Sequence, residues 1–287
     1  MAEVPRDAEE LLELLDLERI DDDLFRGSQM PTSRPMVFGG QIAAQALVAA
    51  TRTVEDRFVA HSLHSYFLQP GDPSTPTIYD VENLRDGRSF VTRRVIAQQH
   101  GRPIYAQTVN FHVAEQGFEH EESMPDVPGP DHESVRPVSR QAQEELHADQ
   151  WNVADIRFVG SSAGGLDDDP AHPGRQRVWL RVSSPLPDEQ SFHRAAFTYL
   201  SDMTLVGAAM APHGISFGRG DAFVASLDHA VWFHRPFRAD EWWLYDQVSP
   251  SASSGRSLIL ARVFTQDGQL VASVAQEAVL RPLKESK

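Results

Sequence analysis

Apolar residues recur at helical spacing over Glu9 to Leu17 and again, more densely, over Phe38 to Ala50, whose small side chains allow a helix to lie close against a sheet. Four runs of strand chemistry follow: His61 to Gln69, Thr77 to Leu84, Ser89 to Gln99 and Ile104 to Val113. The breaks between them, Pro70-Gly71-Asp72-Pro73, Asp86-Gly87 and His100-Gly101, are turn residues, so an antiparallel meander is predicted behind one buried helix. Ala114 to Gln150 abandons this pattern for Glu, Asp, Pro and Gly and reads as an interdomain linker, with an elaborated surface loop as the alternative. The pattern then resumes with strand-like Val153 to Val159 and Arg177 to Val182. Helical spacing follows through Phe192, Ala196, Tyr199, Leu200, Met203 and Val206. A second meander covers Ala222 to Phe233, Trp242 to Val248, Ser257 to Thr265 and Leu270 to Leu280, with a hairpin turn at Gln266-Asp267-Gly268-Gln269.

The second half repeats the first at a separation of about 165 residues. His64-Ser-Tyr-Phe67 matches the run from His229 to Phe233, Tyr79-Asp80 recurs as Tyr245-Asp246, and Gly87-Arg88-Ser89 recurs as Gly255-Arg256-Ser257. A unit of that length is a small domain with its own core rather than a solenoid repeat. The expected fold is therefore α+β, with a first domain over 1–115, a linker over 116–150 and a second domain over 151–287, each a buried helix wrapped by an antiparallel sheet.

Composition removes several function classes. A net charge of −15 over 287 residues argues against nucleic acid or an anionic membrane surface as partner. The absence of cysteine excludes disulfides, thiolate metal sites and a Cys nucleophile. Met1 to Leu15 has no basic region followed by an apolar core, and the longest apolar stretch, Val37 to Ala50, is too short to span a bilayer. A cytoplasmic protein without membrane insertion is the expectation.

Several motifs fail on context. Gly160-Ser-Ser162-Ala-Gly164 has the letters of a nucleophile elbow, but Gly165-Leu-Asp-Asp-Asp-Pro170 cannot continue the helix that an elbow needs. His61 and His64 would point to opposite faces of a regular strand, which disfavours a metal pair. Asp167 to Asp169 lacks the glycine and distal glutamate of a calcium loop, and Arg219-Gly220-Asp221 reads as a chance tripeptide. Polar residues inside apolar elements say more, because each must find partners when buried. Asp202 follows Tyr199 and Leu200 in the second helical segment, Ser226 lies on Ala222-Phe-Val-Ala-Ser-Leu, and Gln276 on Val274-Ala-Gln-Glu-Ala. Three such groups on elements that pack together suggest a shared polar pocket. The repeat aligns Ser226 with His61, Gln276 with Asn110, and Asp202 with the neighbourhood of Gly40-Gln41, so the first copy lacks the carboxylate.

Val37-Phe-Gly-Gly-Gln41, His61 to Phe67 with Pro70-Gly-Asp72, Tyr79 to Phe90, Tyr199-Leu-Ser-Asp202, Leu227 to Phe237 and Gln266 to Glu277 together resemble the acyl-CoA thioesterase II family. The resemblance covers nearly the whole chain. It implies a double hotdog fold and hydrolysis of fatty acyl-CoA, with Asp202, Ser226 and Gln276 as the family's Asp, Thr or Ser, and Gln that hold a water. It implies no cofactor and no metal, acyl-CoA as the small-molecule partner, and a homo-oligomer, dimer or tetramer. Without Cys or a serine elbow, direct attack by water is the route the residues permit. Asp202 would be the general base, backbone N–H groups near a helix start the oxyanion donors, and Arg93, Arg94 or Arg256 the phosphate contacts. The family's peroxisomal members end in Ser-Lys-Leu, whereas Glu285-Ser-Lys287 lacks the leucine, so peroxisomal import is not expected. The rival readings are a hotdog enoyl-CoA hydratase, which typically pairs its Asp with a nearby His, and a non-catalytic acyl-CoA-binding protein.

Overall fold

The computed structural model describes residues 4–32, 35–138, 149–215 and 222–283. The Arg219-Gly220-Asp221 tripeptide, much of the predicted linker's second half and the C-terminal tripeptide lie outside them. The chain opens with helix α1, Ala8–Leu15. Asp7 caps it by accepting from the Glu10 N–H at 2.9 Å, with Glu9 and Glu10 at the positive end of the helix dipole. Two short strands follow, β1 (Glu18–Asp21) and β2 (Leu24–Gly27), then helix α2 (Gly39–Thr51) and strands β3 (Val59–Phe67), β4 (Thr77–Asp86), β5 (Phe90–Gln99) and β6 (Arg102–His112). The second half repeats this order after a two-residue strand, β7 (Arg136–Pro137): β8 (Ala154–Ser161), β9 (Gly174–Val182), then helices α3 (Gln190–Ser201) and α4 (Val206–Met210). Its last strands are β10 (Ala222–Ser226), β11 (Asp228–Phe233), β12 (Trp243–Ser253), β13 (Arg256–Thr265) and β14 (Leu270–Pro282).

All strands join one antiparallel sheet in the order β1-β2-β4-β5-β6-β3-β11-β14-β13-β12-β9-β8-β7, with β10 also on β14. Read outward from the β3–β11 seam, the two halves have the same order, so each is one hotdog unit and the fold is a tandem double hotdog. At the seam Leu63 pairs with Val231 and Ser65 with His229, and the Ser65 hydroxyl donates to the His229 carbonyl at 2.7 Å. Helices α2 and α3 pack against each other along the inner face, with Ala43, Ala44, Ala46, Ala196 and Phe197 fully buried there. No described helix is long and apolar enough to cross a membrane.

The predicted strands of both meanders are present, with two departures. β1 and β2 escaped the pattern because each is four residues long and β1 is exposed throughout. The run Ala222 to Phe233 is two strands, broken at Leu227, whose N–H donates to the Glu277 carbonyl at 2.8 Å. The first half carries the matching irregularity at His61, where the β3–β6 register slips between Ala60 and Ser62.

Residues within the predicted linker pack on the outer face of the second half. Met124, Val127 and Val135 cover Trp179, Trp242, Leu244 and Phe264, forming a second small core. Trp179 Nε1 donates to the Pro128 carbonyl at 2.9 Å, and Arg157 reaches the Pro130 carbonyl at 3.0 Å.

Candidate active site

Helix α3 ends at Ser201, and Asp202 occupies its C-cap in near-helical backbone. There the carboxylate meets the first turn of α2, which comes from the other half of the molecule. A Cβ on Gly39 would sit 2.6 Å from Asp202 Oδ2, and one on Gly40 would collide with the Tyr199 carbonyl. The Gly39-Gly40 pair is thus what lets the start of one helix approach the end of the other. Phe38, at the N-cap of α2, supplies no side-chain acceptor, so the backbone donors of that first turn need other partners.

Ser226 Oγ donates to Asp202 Oδ1 at 3.1 Å, and Gln276 Nε2 donates to Ser226 Oγ at 2.8 Å. The three residues singled out by sequence form one connected group. They do not share one exposure: Asp202 and Ser226 line a cleft of about 400 Å³, whereas Gln276 is wholly buried behind Ser226. The cleft takes apolar walls from both halves, with Val37, Phe38, Ile42 and Phe67 on one side and Met203, Val206, Phe223 and Val224 on the other. No arginine or lysine lines it among the described residues.

One residue of this group went unassigned in the sequence. His229 is fully buried, with Nδ1 2.6 Å from Gln276 Oε1 and Nε2 2.8 Å from Ser201 Oγ. Burial pushes its imidazole down to about 4, outweighing the contact with Gln276, so the ring is neutral at neutral pH. Its only signal in the sequence was a place in the repeated His-to-Phe motif. Gly39 was visible as half of a Gly-Gly pair at a helix start, without a stated role.

The internal alignment proposed from sequence is corrected by the two matching irregularities. His61 at the slip corresponds to Leu227 at the break, so Ser226 matches Ala60 and His229 matches Leu63. Leu63 pairs with Val109 as His229 lies beside Gln276, so Gln276 matches Val109 rather than Asn110. The helix C-caps match Asp202 to Arg52, not to the Gly40-Gln41 region. His61 itself faces outward. Its ring meets those of Phe90 and His112, which pair and stack on the face opposite the buried Val91–Phe111 pair. The slip thus turns His61 to the outer face along with exposed His64, contrary to the alternation expected of a regular strand. No group of three or more potential ligands gathers there or elsewhere among the described residues.

Other expectations meet the structure as follows. Ser162 is exposed in a turn with no helix after it, in keeping with rejection of the elbow. Arg93 is not a free phosphate contact: it is buried and bonds to Thr53, the Arg85 carbonyl and Asp86. Arg94 lies 3.8 Å from Glu82, Arg256 bonds Glu277 at 2.9 Å, and neither lines the cleft.

The comparisons with known proteins agree along the length of the chain. Residues 27–112 match the model of the acyl-CoA thioesterase N-terminal domain, and residues 169–279 match that of acyl-CoA thioesterase. Acyl-CoA thioesterase 2 of Haemophilus influenzae is 36% identical over 280 residues, covering 94% of this chain and 96% of that one. Human acyl-coenzyme A thioesterase 8 is 36% identical over 93% of this chain and 88% of its own. The crystal structure of an acyl-CoA thioesterase II from Mycobacterium marinum superposes with a TM-score of 0.82 at 43% identity, covering 96% of this chain and 99% of that one. The chain therefore belongs to the acyl-CoA thioesterase II family and is an acyl-CoA thioesterase.

Proposed function

We propose that the enzyme hydrolyses medium- to long-chain fatty acyl-CoA to free fatty acid and coenzyme A at one site per chain, with Asp202 as general base. The observation that carries this reading is the Gln276–Ser226–Asp202 chain of hydrogen bonds opening onto an apolar cleft. Water held against Asp202 and Ser226 attacks the thioester carbonyl carbon as Asp202 takes a proton, a role worth about 10²- to 10⁴-fold in rate. Backbone N–H groups at the start of α2 face the developing oxyanion. Collapse breaks the C–S bond, and the proton on Asp202 leaves with the coenzyme A thiolate. Gln276, behind Ser226, acts by fixing the hydroxyl. The tail lies against Ile42, Met203, Val206 and Val224. The domain division at 1–115 and 151–287 goes with this reading, since the site needs α2 from one part and Asp202 from the other.

Thiol release from saturated acyl-CoA of increasing length tests it. Each buried methylene contributes about 0.8 kcal/mol, so kcat/KM should climb up to roughly fifteen-fold per two carbons until the cleft ends. A flat profile from acetyl to palmitoyl would remove the tail from the cleft. A saturated substrate also separates hydrolysis from hydration or mere binding, neither of which releases a thiol.

A further inference from the structure

We infer that His229 is a positioning residue for hydrolysis, which presents an Nδ1–H to Gln276 and thereby fixes which end of the Gln276 amide faces Ser226. The inference rests on the assignment of Asp202 as the base, and the hydrogen-bond roles follow from it by elimination. An ionised carboxylate only accepts, so the single Ser226 hydroxyl proton points to Asp202 across their 3.1 Å contact. Ser226 Oγ must then accept from the group 2.8 Å behind it, so that group is the Gln276 amide nitrogen. The Gln276 oxygen is left facing His229 Nδ1 at 2.6 Å, and an oxygen there requires a donor. Nδ1 therefore carries the hydrogen and Nε2 is bare, so the single Ser201 hydroxyl proton, which has the Thr198 carbonyl at 3.0 Å as its other acceptor, must turn to Nε2 at 2.8 Å. Every donor in this series points toward Asp202. With the opposite tautomer the amide would turn round, and two acceptors would compete for the one Ser226 proton.

The corresponding position in the first half adds a second, independent observation. Leu63 is as fully buried as His229, so this strand position accepts an aliphatic side chain in this fold. The imidazole at 229 is not demanded by packing. Ser201, which closes the series at Nε2, immediately precedes Asp202, so the bonds tie the end of α3 to strands β11 and β14 on both sides of the base.

Two measurements test this. In wild-type enzyme labelled with ¹⁵N-histidine, the His229 ring should show a protonated Nδ1 and a bare Nε2 at neutral pH. The Nε2–H tautomer overturns the proposal. Kinetically, His229→Leu should keep KM within about threefold while kcat falls about 10- to 100-fold, the scale of losing the Gln276–Ser226 bond that His229 holds in register. His229→Asn, which retains a donor near the Nδ1 position, should recover most of that loss. In a Gln276→Ala background, His229→Leu should cost little more. Wild-type kcat in His229→Leu, no recovery in His229→Asn, or full additivity with Gln276→Ala overturns the role. Asp202→Asn measured in parallel separates the two readings: if it stays active, the assignment of the base itself has failed. Should His229→Leu not fold, the tautomer measurement on the wild-type enzyme still decides.

Discussion

The two halves share a frame and differ in what they bury at equivalent points. The first half places Ala60, Leu63, Val109 and Arg52 where the second places Ser226, His229, Gln276 and Asp202. Arg52 is turned away to the N-terminal segment, where it bonds Asp16 and the Leu17 carbonyl. One half uses the shared strand positions for packing alone, while the other accepts the desolvation of a buried histidine and glutamine to hold a serine and a carboxylate in place. On the proposed reading, chemistry is confined to one end of a pseudo-symmetric molecule, though the first half still contributes the Gly39-Gly40 turn against Asp202.

Four tests would break or sharpen this contrast. The largest effect is expected from Asp202→Asn, with kcat down at least about 10²-fold and KM little changed, whereas Arg52→Gln at the matching cap should leave steady-state kinetics untouched. Next, Ser226→Ala and Gln276→Ala should each lower kcat roughly ten- to 150-fold, from about 1.5–3 kcal/mol per hydrogen bond, and the double variant should fall well short of the product. The reciprocal change in the first half, Leu63→Ala, should reverse the pattern: about 2–5 kcal/mol of stability lost in denaturant unfolding, with kcat retained in the folded fraction. The smallest effect is acid sensitivity. Below pH 6.5 the unfolded chain protonates His229 while the native ring, held down to about 4, does not, so stability drops as pH falls between those values. The slope is up to about 1.4 kcal/mol per pH unit, and comparing the pH dependence of unfolding in wild type and His229→Leu isolates it, because other buried histidines contribute to both.

The architecture was legible in the sequence because helix and strand periods differ and both are long here; α2, α3 and the two four-run meanders follow from them. The trio Asp202, Ser226 and Gln276 was legible as polar residues within apolar runs and through family resemblance. The internal alignment was not. His64 and His229 sit in similar letters, yet His64 is exposed on the outer face and His229 buried on the inner one. A one-residue slip exchanges the faces of a strand, and the irregularities at His61 and Leu227 that set the faces leave no mark in residue type. The arginines were unreadable for a related reason: whether Arg93 is solvated or tied to Asp86 and Thr53 depends on partners 7 and 40 residues away.

The seam between β3 and β11 also bears on how the chain is made. Ser65 and His229, joined across it, are 164 residues apart, so at ribosomal speed β3 waits roughly 10 to 30 s for the strand that closes its open edge. During that interval the nascent first half displays a row of unsatisfied backbone donors and acceptors, the template on which strands of separate molecules join. Synthesis that stops before β11 therefore leaves that edge of β3 without the strand that satisfies it.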